Sequence, residues 1–484
     1  MPPDTERAAA RVHWLVAARF GASPAGEAFE PSLRTLDAEL ARRVPSLEVD
    51  VPDRLGREDR RRVALPIAGL RTFTLGGVAE AVPELKALLA LAAKPPADPA
   101  AVSAELARLA GEGGRLARAW AGAAASPSGA ARALRDALEA AVYGTALDVL
   151  RSAPVARVES AWRGLRLLLE RCPKGADMHV EALDADAADV PGLLAARPPS
   201  GEFDDPDAVL VAEPVADARA LAALAGEAEA LLAPAVAEVP PALLEAADAE
   251  ELAARLEKGA KAPEGWEALR AEPAARWLCA AVNRVALHSE GAGAFKRTAF
   301  GSPVWALGAM LAESYRKQGA FAAIAGPANA LAAPAAWTIP AGAGQGVRAP
   351  TEAFLPIAAQ GALAAAGVVG LGSPRNQDKV VALGAPAVSS APDAQPLPAQ
   401  LLAGRIVRFA RWARAQIDPA GDPASVQAVM EQAAGVFLFP GLGQAATLAA
   451  RVDSDGEVRA LRVAARVKAS HAGTPLSIEF ALPL

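Results

Sequence analysis

The sequence predicts an α/β (α+β) fold, helix-dominated in its middle region and strand-bearing towards both ends. Three observations predict it. Residues 11–20 (RVHWLVAARF) mix β-branched, aromatic and apolar residues, as a strand does. Residues 177–213 read strand–helix–strand, the unit of a parallel sheet. Residues 457–482 hold two alternating stretches on either side of His471-Ala472-Gly473.

The elements follow in order. Leu33, Leu36 and Leu40 share a helical spacing within 30–43, and 62–75 (RVALPIAGLRTFTL) is extended with partial alternation. A helix over 77–93 ends at Lys94 and Pro95-Pro96, and 95–100 is a linker. From 101 to 172 the pattern is helical, with a break at 122–129. In 155–172 Val158, Ala161, Trp162, Leu165, Leu168 and Leu169 form one face. A strand at 177–184, a helix at 187–197 and a buried strand at 207–213 follow. Residues 214–262 are helix-rich and charged, and 273–287 is apolar. A helix from 301 leads to a short strand, FAAIAG, ending at 326. The Gly/Pro-rich stretch 326–350 is loop-like except for Ala336-Trp337-Thr338-Ile339, and 351–412 is again α/β.

Bulk composition narrows the function. With 52% hydrophobic and 21% charged residues the chain can bury a large core, which excludes global disorder. Its net charge of −6 is spread over intermixed acids and bases, which argues against nucleic acid as a partner. Cys172 and Cys279 are the two cysteines, and neither sits in a CxxC pair, so a reducing compartment is expected. The first residues lack the apolar core of a signal peptide, and no run is long enough to span a membrane. A cytoplasmic chain without a membrane span is the expectation.

Catalytic patterns are not found. His13, His179, His288 and His471 stand in no metal-ligand spacing, and no GxSxG elbow occurs. A catalytic triad built from distant residues stays open on sequence grounds. The cysteines lie in apolar contexts that suit inert thiols better than nucleophiles. The glycine clusters 291–298, 367–373 and 441–443 lack the frame of a phosphate loop and read as turns. In 405–414 (RIVRFARWAR), Ile406, Phe409 and Trp412 are expected inward, with Arg405, Arg408 and Arg411 outward. No catalytic residue, cofactor-binding residue or metal ligand is therefore assigned.

One stretch carries a resemblance. Within 131–171 stand Asp136, Val149-Leu150, Pro154, Glu159, Ala161 and the run Trp162, Arg163, Gly164, Leu165. This pattern resembles the large subunit of the type VI secretion contractile sheath. Later blocks keep the family order: Trp266 with Leu269-Arg270, then Pro273 and Arg276; Trp305-Ala306 and Ala309; Trp337; Pro350, Thr351 and Glu352; Gly367, Leu371 and Ser389; Arg405 with Phe409. Residues 63–91, through Phe73, Val82-Pro83 and Leu85, resemble the small subunit of the same sheath.

The resemblance implies a fused sheath protein with a contractile-sheath fold and a terminal-strand "handshake" sheet. It implies a small-subunit-like region at 1–95 and a linker with a helical segment at 96–130. A large-subunit-like region would occupy 131–400, with a helix-rich insertion near 214–262, and a C-terminal handshake region 401–484. The implied role is a cytoplasmic structural polymer, not an enzyme, that contracts to propel an inner tube. Its implied partners are further copies of itself, an inner tube protein, baseplate proteins and a recycling AAA+ unfoldase. The helix that such an unfoldase grips would fall in 101–120, which carries no specific match. Strands 11–20 and 457–482 are the candidates for exchange between neighbours. Two rivals are a baseplate or cap relative that never polymerises, and an unrelated α/β enzyme.

Overall fold

In the computed structural model the described residues are 12–94, 98–111, 113–124, 130–174, 177–198, 205–340, 346–418, 421–439, 445–455 and 458–484. Half of the 95–100 linker and the 441–443 glycines lie outside them.

The main sheet is built around β1 (Val12–Ala18). The chain then forms β2 (Ala28–Phe29) and an antiparallel hairpin, β3 (Ser46–Pro52) and β4 (Arg60–Pro66). Strands β5 (Met178–Asp184), β6 (Ala208–Pro214), β7 (Ala235–Glu238) and β8 (Leu278–Val282) follow. Next come β9 (Val285–Glu290), β10 (Arg297–Gly301), β11 (Leu331–Ala332), β12 (Trp337–Ile339), β13 (Val347–Ala349), β14 (Val368–Gly370) and β15 (Lys379–Val380). The last three are β16 (Ala446–Asp455), β17 (Val458–Val467) and β18 (Leu476–Pro483).

Seven strands form one sheet in the order β14-β8-β7-β6-β1-β5-β2, parallel except for β2. Every residue of β1 is buried, because helices cover both faces. Trp14 and Val16 face the layer that holds the Ala153–Arg171 and Pro303–Gln318 helices. Leu15 and Ala17 face the layer of the Ala218–Leu231, Ala249–Glu257 and Glu264–Ala271 helices. The β3–β4 hairpin packs with the Ala130–Arg151 helix in the first layer.

A separate apolar core holds the Leu397–Ala415 and Pro423–Phe437 helices and an antiparallel sheet ordered β16-β17-β18. Both alternating stretches of the C-terminus are strands there, and β16 is a third that the sequence reading did not include.

Several expectations change. Strand β1 lies at the centre of the seven-stranded sheet, paired to β5 over Val12–Ala18 and to β6 over Trp14–Ala17, so it is not a free terminal strand for exchange. The 214–262 stretch is helix-rich as expected, with Ala218–Leu231 and Ala249–Glu257, but it also holds β7 (Ala235–Glu238), too short for its periodicity to show. FAAIAG is not a strand and makes only a single bridge, Ala325 to Ala382. The 77–93 helix is two helices, Leu75–Ala81 and Pro83–Ala93, since Pro83 cannot continue a helix but suits a first turn. The extended 62–75 segment stops at Pro66 and turns at Leu70–Thr72.

Candidate functional site: buried ionic junctions and open sheet edges

The α/β order β5-β1-β6-β7-β8 leaves a crevice at the carboxyl ends of β1 and β6, where folds of this order bind ligands. Here the chain fills it with its own side chains. Arg19 pairs with Asp186, and Arg157 lies 3.6 Å from Glu213. Asp184 accepts the backbone N–H groups of Phe20 and Gly21 at 2.8 and 2.9 Å.

The 162–165 run occupies the middle of the Ala153–Arg171 helix. Trp162 is fully buried, and its Nε1 donates to the Phe20 carbonyl at 2.9 Å, tying the helix to the end of β1. A Cβ on Gly164 would stand 2.2 Å from Nε1 of the Trp305 indole, so glycine is required for these helices to meet. Leu165 is buried in the same layer.

Arg163 points the other way, into an ionic junction. Its Nε donates to Glu159 at 2.7 Å and its Nη2 to the Phe73 carbonyl at 2.9 Å. Glu159 has no exposure and also pairs with Arg297 on β10, which bonds Glu290 on β9 at 3.0 Å. Glu290 in turn accepts the Leu75 backbone N–H at 3.0 Å. Burial pulls Arg163 and Arg297 down to about 10, still high enough for both to stay charged at neutral pH. The Ala153–Arg171 helix, the Phe73–Leu75 turn, β9 and β10 are thereby joined through two carboxylates, Glu159 and Glu290, and two arginines.

Pro350, Thr351 and Glu352 lie beside the start of β9. The Pro350 carbonyl accepts Ala286 N–H at 2.7 Å, and Glu352 N–H donates to the Arg284 carbonyl at 2.9 Å. Thr351 is buried with its hydroxyl on the Ala353 carbonyl, while Glu352 is exposed. Asn283, a left-handed residue the sequence reading missed, stitches this segment down through Ala353 and Leu371. An Asn between two β-rich runs was the available signal.

A second ionic junction overturns an expectation. Arg405 and Arg408 are buried, not outward: both pair with Asp207 ahead of β6. Arg408 also donates to the Asp205 and Pro206 carbonyls at 2.8 and 2.7 Å. Arg411 is exposed as expected. A helical wheel cannot tell an exposed arginine from one whose partner arrives from a distant loop.

The remaining polar candidates form no catalytic set. His13 stands 3.0 Å from Glu181, His288 3.7 Å from Glu290, and His471 next to Ser470. The groove at the β5 edge does gather Glu30, Cys172 and His179. Burial, however, pushes the Cys172 thiol up to about 12, the reverse of what a nucleophile needs, and Cys279 likewise. Among the described residues no group of histidines, cysteines and carboxylates is placed to hold a metal ion, and no helix is long and apolar enough to cross a membrane.

The C-terminal sheet offers a different feature. β16 and β18 each have a strand partner on one side only among the described residues. Leu484 N–H donates inward to Arg459 at 3.0 Å, so by alternation the amides of Ser477, Glu479 and Ala481 face the open edge. Pro483 occupies the next such position, where no N–H is needed.

No family model matches the sequence, and no curated protein does. Among solved structures, a chain of the anti-feeding prophage baseplate is similar, with a TM-score of 0.36 and 12% identity, over 67% of this chain and 77% of that one. A chain of the sheath complex of PVC, an extracellular contractile injection system, in its contracted state gives 0.38 and 11%, over 67% and 77%. A chain of the contracted anti-feeding prophage sheath gives 0.36 and 14%, over 67% and 79%.

Proposed function

We propose that the chain is a structural subunit of a cytoplasmic contractile sheath of a type VI-like secretion system, without enzymatic activity. The observation that carries this reading is the ordered set of sequence blocks, among them Glu159, Trp162 to Leu165, Trp305 and Pro350 to Glu352. Several of these blocks meet in space: Gly164 lies on Trp305, Glu159 pairs with Arg297, and the Pro350 carbonyl accepts from β9. Blocks far apart in sequence that meet in space are what a family motif made of packing residues requires.

In this reading residues 1–95 stand for the small subunit, with 96–130 as a connection. Residues 131–400 stand for the large subunit and 401–484 for the handshake region. Covalent fusion raises the effective concentration of one part for the other. The open edges of β16 and β18 are the joints through which copies pair strand to strand, and a heterologous joint of that kind propagates an open helix. An inner tube protein fills the lumen, baseplate proteins cap one end, and an AAA+ unfoldase recycles the contracted form.

The test is negative-stain electron microscopy of the purified chain. Long hollow filaments or cogwheel-ended tubes support the sheath subunit. Monomers or small closed rings, persisting after an inner tube protein is co-expressed, overturn it in favour of a baseplate or cap component.

A further inference from the structure

Most arginines in this protein are matched to a carboxylate, as the two ionic junctions illustrate. One groove, of about 560 Å3, departs from that habit. It runs along β10, over the Leu150–Ala156 stretch where two helices join, and past Trp337 at the start of β12. Arg151, Arg284 and Lys296 line it; all three are exposed, and among the described residues none forms an ion pair. The two arginines sit at opposite ends of the strand. Arg151 reaches the Lys296 carbonyl at 3.5 Å, and Arg284 the Phe300 carbonyl at 3.1 Å. Each bond uses one of the five N–H donors of a guanidinium.

The groove has an apolar wall as well. Phe300 and Trp337 meet edge to face with ring centroids 5.3 Å apart. The wall is held in place, since Trp337 donates to the Thr351 carbonyl at 2.8 Å. Lys296 immediately precedes β10 and Phe300 lies on it beyond a bulge at Ala299–Phe300, so their carbonyls, four residues apart, are at most about 13 Å from each other. An extended ligand chain presents same-face side chains at even spacings, so two carboxylates four residues apart match the two arginines.

We propose that this groove is a docking site for an extended acidic segment of another protein, carrying carboxylates about four residues apart and an apolar residue between them. The floor of the groove is itself occupied by the Glu159–Arg297 pair, so the incoming charge meets three exposed cations that form no ion pair among the described residues and not a buried one. The short β10 strand and the fixed aromatic pair set the length of segment that fits. The surface is distinct from the open edges of the C-terminal sheet, so it does not depend on the assembly reading.

The experiment is fluorescence anisotropy with a labelled nine-residue peptide bearing two glutamates four positions apart around a leucine. The same peptide with glutamines is the comparison. Binding of the glutamate peptide is expected, weakened by added salt, and weakened about tenfold for each of Arg151→Gln, Arg284→Gln and Lys296→Gln. Circular dichroism checks that each variant folds, and the peptide comparison stands even where one does not. Equal binding of both peptides, no binding, or variants that bind like the parent chain overturn the proposal. A single-stranded oligonucleotide that displaces the peptide at lower concentration overturns it in favour of a phosphate ligand. Self-association lost in the glutamine variants overturns it in favour of a second copy.

Discussion

The seven-stranded sheet and the C-terminal three-stranded sheet treat their strands in opposite ways. β1 has a partner on each side and apolar cover on each face, which leaves nothing to offer another molecule. β18 has one partner, and its side chains alternate between exposed and part-buried beyond Leu476. The difference lies in composition. A strand that is apolar at six of its seven positions, with His13 paired to Glu181, is stable only where both faces are covered, whereas an alternating strand is satisfied by one. The first kind of strand builds a core; the second leaves an edge that another chain can extend.

The largest test of this contrast acts on the open edge. Ala481→Pro removes an outward-facing N–H and leaves the ladder bonds to β17 intact. Filaments seen for the parent chain are expected to be lost while circular dichroism is unchanged; filaments of normal length would place the joint elsewhere. The next acts where the two sheets are tied together. Asp207→Ala strands two buried guanidiniums, which costs about 3–5 kcal/mol. Urea unfolding is expected to show the C-terminal core melting at lower denaturant than the main sheet, and a single unshifted transition would contradict that.

A third test acts within the closed sheet and uses pH. Burial pushes the Glu238 carboxyl at the end of β7 up to about 7, against hydrogen bonding from Ser302 and attraction from Arg284, with Glu213 and Glu352 adding repulsion. The folded state therefore holds a proton that the unfolded state releases near the ordinary carboxylate value of 4.5. Stability from this group is present at low pH and is lost as pH rises towards about 7, by roughly 3 kcal/mol. Glu238→Gln is expected to flatten that part of the stability profile and to stabilise the chain at pH above 7. A parent profile that is level across this range would remove the basis for it. The smallest effect is expected for Gly164→Ala, which forces the new methyl against Trp305 at a cost of about 1–3 kcal/mol. Thermal unfolding measures it, and an unchanged midpoint would mean that the two helices separate freely.

Much of the architecture was legible beforehand where periodicity is long or burial complete. β1, β5 and β6 stand where their apolar runs predict, and so do the 131–151 and 155–172 helices. β7 was not, because four residues carry no period, and neither was Asn283, whose role depends on carbonyls 70 and 88 positions away. Of the candidate residues, Trp162 and Leu165 could be placed on a packed face from spacing alone. That Gly164 makes room for Trp305, or that Glu159 holds two arginines, could not be read from spacing.

The sequence by itself determined the class of fold, the buried faces and the absence of recognisable catalytic spacing, because hydrophobic periodicity and local motifs are properties of neighbouring residues. Tertiary structure alone decided which charges are buried, which strands keep a free edge and which cations are left without a carboxylate. Those depend on where distant segments meet. Arg405 and Arg408 have the spacing of solvent-facing arginines, and only the arrival of Asp207 from almost 200 residues away turns them into a core contact.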